Sequence, residues 1–331
     1  MNRERGFYHC FGCGEHGNAI SFLMKYENLP FVDAVEKLAS EFSMQVRYEG
    51  GAPKPKSGKP RLSEIMQRAM EFYRDKFNSD KFSQDYLHDR GLKNETIERF
   101  GIGFSPDAWH NLDAVFTPDL KPLLLEAGLQ RTGQSGNVYD FFRNRLMFPI
   151  IDIRGNVIGF GGRVMDDSTP KYLNSPETII FNKRKNLFAL NIARKSKQGR
   201  IILTEGYMDA IALHQYGFDC AVASLGTSLT EEHANILAKY TNQVILTYDG
   251  DEAGQNATRR AIPMLEKTGI QVRVLRMQGA KDPDEFLKKY GAQRFEVLLD
   301  ACQNQAEYRL DSLKRKYDLT LDDQRVEFLN Q

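Results

Sequence analysis

Cysteine is scarce in this chain of 331 residues: there are four, and only Cys10 and Cys13 lie close together. That excludes a disulfide framework and makes a reducing cytoplasm the default compartment. Long apolar runs are missing too, so no segment reads as a membrane span, and no signal peptide opens the sequence. Tryptophan occurs once, at Trp109, and reads as a packing residue rather than a platform for a stacked base. The last absence is excess charge. A net charge of +1 excludes the bulk basicity typical of nucleic-acid binders. What remains, 41% hydrophobic and 27% charged residues, describes an ordinary globular chain whose length asks for two or three folding units.

The charge is unevenly distributed. Residues 141–200 carry twelve Lys and Arg against four Asp and Glu, a net +8. Residues 201–290 carry nine against twelve, a net −3. A basic block beside an acidic one suits an enzyme of polyphosphates or nucleic acids, one part neutralising phosphates and the other holding cations. Lys195, Lys197 and Arg200 read as solvated surface.

Within the acidic block one device recurs three times, an apolar run that ends in acid. Ile201-Ile202-Leu203-Thr204 is closed by Glu205-Gly206-Tyr207-Met208-Asp209, and Val244-Ile245-Leu246-Thr247-Tyr248 by Asp249-Gly250-Asp251. Val272-Arg273-Val274-Leu275 is followed by Lys281-Asp282-Pro283-Asp284-Glu285. Short runs of Val, Ile and Leu read as strands covered on both faces. Helical patterns at 207–216, 230–240, 251–268 and 284–290 separate them, which makes a parallel α/β sheet with every strand's carboxyl end on one edge. That edge would gather Glu205, Asp209, Asp249, Asp251, Asp282 and Asp284, and ligands of open α/β sheets bind there. Hard oxygen donors point to Mg²⁺ or Mn²⁺ with a phosphate-bearing substrate. Helix capping is the plain alternative for Asp284, and a solvated position for Asp209. Glu205 is a poor cap and precedes a glycine, so metal is favoured for Glu205, Asp249 and Asp251.

Glu-Gly-Tyr-Met-Asp, Tyr-Asp-Gly-Asp-Glu-Ala-Gly and Lys-Asp-Pro-Asp-Glu-Phe resemble the Toprim fold of primases, topoisomerases and some nucleases, with wording most similar to bacterial DnaG-type primases. Further strings carry the resemblance along nearly the whole chain: Phe7-Tyr-His-Cys-Phe-Gly-Cys-Gly, Leu146-Met-Phe-Pro-Ile150, Gly159-Phe-Gly-Gly-Arg-Val164, Pro170-Lys-Tyr-Leu-Asn-Ser-Pro and Ala223-Ser-Leu-Gly-Thr-Ser228. It implies a Toprim-type sheet with flanking helices, preceded by a mixed α+β basic subdomain and a partial zinc-ribbon module.

Taken in order, residues 1–48 form the partial zinc-binding domain. Cys10-x-x-Cys13 offers two thiolates, and the resemblance makes them half of a Zn²⁺ site whose other Cys/His pair lies upstream in the family; a metal-free remnant is the alternative. Met1 stands only nine residues before Cys10, so a truncated start is expected. Residues 49–61, rich in Gly, Pro and Lys, read as a linker. Residues 62–199 are the basic subdomain, with helices at 62–77, 83–90, 95–100 (capped by Asn94) and 123–127, then a hairpin of 145–151 and 157–164. Gly161 and Gly162 would let a nucleic-acid backbone approach, or mark a packing bulge. By resemblance, Arg163, Lys171 and Asn174, with Arg143, Arg145 and Lys183, belong to the face that binds template and nucleotides. Residues 200–290 are the Toprim subdomain. Residues 291–331 begin a helical region that in the family leads to a helicase-binding domain, so the replicative-helicase contact is expected to be absent here.

The function implied is synthesis of short RNA primers on single-stranded DNA from ribonucleoside triphosphates. A Toprim nuclease or a topoisomerase relative could use the same acidic edge on DNA. A non-catalytic DNA-binding module is the reading from another class.

Overall fold

The computed structural model describes residues 6–10, 12, 14–26, 31–42, 44, 46, 58–248, 251–277, 279–314, 317 and 321–329. They fall into two compact units divided between Ser57 and Gly58. In the first, β1 (Phe7–His9) pairs antiparallel with β2 (His16–Asn18), so that the Cys10 turn lies at the hairpin tip. Helices α1 (Ala19–Tyr26) and α2 (Phe31–Glu41) follow, the first begun by Asn18, whose side-chain oxygen accepts the Ser21 amide. The unit is too small to cover its apolar residues: Phe22, Tyr26, Phe31, Phe42 and Met44 are exposed. Units of this size are marginal by themselves, and a bound metal is one source of added stability.

The second unit opens with α3 (Gly58–Ser79), whose buried stripe of Leu62, Ile65, Met66, Ala69, Phe72, Tyr73 and Phe77 has the helical period. Asp80 caps α4 (Lys81–Asp89) by accepting the Ser83 amide, and Gly91, at φ 77°, turns the chain toward α5 (Asn94–Phe100). Asn94 does not cap that helix as expected. Lys93 holds the extended cap position, and the Asn94 side-chain oxygen is bonded by His88 Nε2 instead.

Next come β3 (Gly103–Ser105), α6 (Lys121–Glu126), the small hairpin of β4 (Gln130–Thr132) and β5 (Val138–Asp140), and then β6 (Arg145–Ile151), β7 (Val157–Arg163) and β8 (Tyr172–Asn174). The order β3-β6-β7-β8 makes an antiparallel sheet. Asp152 closes the β6–β7 turn by accepting the amides of Arg154 and Asn156.

After α7 (Leu190–Ala193) the chain alternates as its pattern predicts: β9 (Ile201–Thr204), α8 (Tyr207–Gln215), β10 (Ala221–Ala223), α9 (Glu231–Leu237), β11 (Gln243–Leu246), α10 (Glu252–Glu266), β12 (Gln271–Val274) and α11 (Pro283–Asp300). A short β13 (Gln303–Asn304) and helices α12 (Gln305–Lys314) and α13 (Asp322–Leu329) end the described chain. The sheet order is β10-β9-β11-β12-β13, parallel except for β13. Gly291, at φ 77°, breaks α11 just past the helical pattern read at 284–290.

One core joins the two sheets. Phe100, Phe104, Phe148, Phe181 and Phe188 pack with Tyr207, Met208, Ile211 and Leu225, so α8 is shared by both. No helix among the described residues is long and apolar enough to cross a membrane.

Candidate active site

The carboxyl ends of β9 and β11 are neighbours, with Leu203 opposite Leu246 and the Thr247 amide bonded to the Leu203 carbonyl. Just past β9 stands Glu205, half-buried, and Gly206 takes the extended cap position of α8. A side chain on Gly206 would place its Cβ 2.8 Å from Asp209 Oδ2, so the Asp209 carboxylate folds back over the turn that carries Glu205. Glycine leaves the carboxylate room there, and a larger residue would have to displace it. Across the strand pair, burial raises the Tyr248 phenol above its ordinary pKa and the charge of Glu205 raises it further, which places Glu205 on the side of the β11 end. Asp249 follows Tyr248 directly and lies outside the described residues.

The other carboxylates are partly occupied. Asp251 is the cap of α10, its Oδ1 accepting the Gly254 amide at 2.8 Å. Asp282 caps α11 in the same way through Glu285. Asp284 is ion-paired with Lys288 at 2.6 Å, its side chain only 14% exposed. Among the described residues no three His, Cys, Asp or Glu side chains group tightly enough to hold a metal. Glu205 and Asp209 nevertheless flank one glycine turn, and their carboxylate oxygens are the donor chemistry that fits a hard divalent cation completed by phosphate and water.

The basic side is more deeply built in than its sequence suggests. Arg163 is 3% exposed, with its guanidinium between the rings of Tyr86 and Tyr172 at 5.6 and 5.5 Å. Burial pushes the Tyr172 phenol up to about 12, Arg163 opposing and Asp209 adding to the shift, so the cation and the acidic turn meet at this ring. Arg145 is also buried, donating to the carbonyls of Gly162 and Pro170, and desolvation lowers its pKa. Gly161 and Gly162 make room for protein: a Cβ on Gly161 would lie 2.5 Å from Tyr207 Cζ, and one on Gly162 2.8 Å from Phe142 Cδ1. Lys171 is exposed, whereas Lys183 is half-buried in a turn held by Glu177 and His233. Asn174 bridges Tyr207 and Leu225.

Trp109, which reads from sequence as a packing residue, is 57% exposed. The Arg143 guanidinium lies 3.8 Å over its ring, and Tyr139 meets it edge-on at 5.1 Å. Trp109 lies in the polar loop Pro106-Asp107-Ala108-Trp109-His110 with Asp107 and Asn111 at strand spacing on either side, the one local signal for an exposed position. In the smaller unit Cys10 is exposed and Cys13 lies outside the described residues. His9 and His16 face each other across the hairpin with ring centroids 6.0 Å apart.

Family models match three stretches: the CHC2 zinc finger over residues 1–54, the N-terminal domain of the DNA primase catalytic core over 72–194, and the Toprim-like family over 202–287. A solved DnaG primase catalytic domain bound to ssDNA superposes with a TM-score of 0.73 at 40% identity, covering 81% of this chain and 87% of that one. The chain belongs to the DnaG-type DNA primases. The DNA primase of Salmonella typhimurium is 44% identical over 336 residues, 98% of this chain, and this chain spans 58% of that primase's length. The Aquifex aeolicus primase structure, comprising zinc-binding and RNA polymerase domains, is 33% identical with a TM-score of 0.73, covering 94% of this chain and 77% of that one. The Toprim-like and CHC2 matches both imply metal binding.

Proposed function

We propose that this chain synthesises short RNA primers on a single-stranded DNA template from ribonucleoside triphosphates, at the replication fork in a bacterial cytoplasm. The observation that carries the reading is the Glu205-Gly206-Asp209 turn, two carboxylates at the end of β9 beside the end of β11. Glu205 and Asp209, with Asp249 and Asp251, would hold Mg²⁺ or Mn²⁺. Bound there, the ions would acidify the primer 3′-hydroxyl and neutralise charge on the triphosphate. Asp251 caps its helix with Oδ1, and Oδ2 takes no part in that bond. Asp282 and Asp284, occupied as cap and ion-pair partner, act on the site through their charge.

Lys171, Arg143 and Lys183 hold template and triphosphate by charge, and Trp109 beside Arg143 offers a ring for an unpaired base. The buried Arg145 and Arg163 keep that face in shape. Cys10 and Cys13 supply two thiolates toward Zn²⁺.

The test is Mg²⁺-dependent incorporation of labelled ribonucleotides on single-stranded DNA. Wild type should make product, and Asp249→Ala and Glu205→Gln should each lower the rate by roughly 100-fold or more. Degradation of the template without incorporation would assign a nuclease instead. Salt-sensitive DNA binding with neither activity would leave a binding module.

A further inference from the structure

Asn174 is the last residue of β8, the edge strand of the antiparallel sheet, yet its side chain belongs to the acidic turn. Tyr207, 3% exposed, donates its hydroxyl to Asn174 Oδ1 at 2.5 Å. Asn174 Nδ2 donates to the Leu225 carbonyl at 2.8 Å. The orientation of the amide follows from these partners, because a carbonyl needs a donor and only the NH₂ end can supply one. Next to Leu225, Ser224 donates its hydroxyl to the Glu205 carbonyl and its amide to the Thr204 carbonyl, both at 3.3 Å. A circuit closes through Asn174, Tyr207, Gly206, Glu205, Ser224, Leu225 and back, and Asn174 is the one member supplied by the antiparallel sheet.

Two glycines show how tightly the circuit is drawn. Gly226, at φ 67°, comes so near that a Cβ would lie 2.9 Å from Asn174 Nδ2. Gly161 admits the Tyr207 ring, which also stacks on Phe148 and Tyr172. A buried phenol must bond its hydroxyl, and a buried amide left half-satisfied is costly, so each member fixes the next.

We propose that Asn174 is a positioning residue: through Tyr207 and Leu225 it sets where Glu205 stands against the antiparallel sheet, rather than gripping template or nucleotide. The inference rests on the reading of Glu205 as a cation ligand. Tyr207 gives it a clean test, because that side chain is buried beyond the reach of DNA while a nucleic-acid contact at Asn174 would not involve it.

The variants are Tyr207→Phe, which keeps the shape and removes one bond, Asn174→Leu, which removes both, and the double variant. The readouts are the affinity for Mn²⁺ alone, restricted to the uptake that Glu205→Gln abolishes, and the affinity for a labelled single-stranded oligonucleotide. Each single variant should weaken Mn²⁺ binding about 5- to 10-fold, the double variant should fall far short of the product of the two, and DNA affinity should stay within about twofold of wild type. A loss of DNA affinity in Asn174→Leu alone, with Tyr207→Phe like wild type in both readouts, would overturn the proposal in favour of a direct contact. Unchanged Mn²⁺ binding in both single variants would overturn it as well. A wild-type chain that takes up no Mn²⁺ attributable to Glu205 would bring down the cation reading, and the inference with it.

Discussion

In the parallel sheet, strands β9 and β10 are buried along their whole length and the acidic residues begin one position or more past the strand ends. In the antiparallel sheet the charges lie on the strands themselves, Arg145 opening β6 and Arg163 closing β7, and both are buried. Helices cover both faces of a parallel sheet, so only its edge of strand ends meets solvent, and charge collected there stays available to a ligand. The antiparallel sheet borders α3 on one side and α8 on the other, and a guanidinium on it must find rings and carbonyls of its own. The strand-borne Arg145 and Arg163 are thus committed to the fold, whereas past the strand ends Asp251 and Asp282 spend one carboxylate oxygen each on a helix cap.

The sharpest way to break that contrast is at Gly161, where the antiparallel sheet is a socket for Tyr207. Gly161→Ala would press a methyl group against a ring that is walled in by Phe148, Tyr172 and Phe188. Denaturant unfolding should show a loss of about 2–3 kcal/mol, the usual cost of overpacking. A silent substitution would mean that this ring does not tie α8 to the antiparallel sheet.

A smaller effect is expected from pH, acting on the helix that both sheets share. His214 on α8 is buried against Phe100, donates to the Ala221 carbonyl, and has its pKa lowered by burial from 6.5 to about 4. The unfolded chain therefore takes up a proton that the folded chain refuses as pH falls from near 6.5 toward 4, so stability is lost across that window. Between pH 7 and 5 the loss from this group should be about 2 kcal/mol. His233, also lowered by burial, acts in the same direction. His214→Gln should flatten the pH dependence of the unfolding midpoint, and an unchanged slope would place the neutral imidazole elsewhere.

The smallest change in the fold, though visible in binding, is at Trp109. Trp109→Ala should weaken single-stranded DNA about 10-fold, a stacking loss of 1–2 kcal/mol, while shifting stability by less than about 0.5 kcal/mol. Fluorescence anisotropy and thermal melting together read both. A large loss of stability with unchanged binding would return Trp109 to the packing role that its residue type suggested.

The Toprim half was legible because its information is local. A strand of three apolar residues and a threonine, a Glu-Gly turn and a helix read directly from Ile201 to Gln215, and the α11 break at Gly291 falls where the helical pattern of 284–290 stops. Strand β10 was not read from the sequence. Three small residues, Ala221-Val222-Ala223, carry no period, and only pairing with β9 makes them a strand. Asp251 looked like a ligand and is at least a helix cap, since both roles put an acid one residue before a helix. The basic half was harder. Nothing near Arg163 in sequence announces Tyr86, more than seventy residues away, and nothing near Gly161 announces Tyr207. Cations, glycines and Asn174 there answer to neighbours supplied by the tertiary fold, and a linear reading assigns them to solvent or to a ligand by default.

The Gln215 side chain accepts the Lys93 amide at 2.8 Å and donates to the Gly91 carbonyl at 2.9 Å, imitating with one amide the pair of bonds a neighbouring strand would make. The bend between α4 and α5 is therefore latched to the far end of the helix that starts beside Glu205. Exchange of the Lys93 amide proton with solvent thus becomes a gauge of whether α8 has let go, even though Lys93 lies more than a hundred residues earlier in the chain.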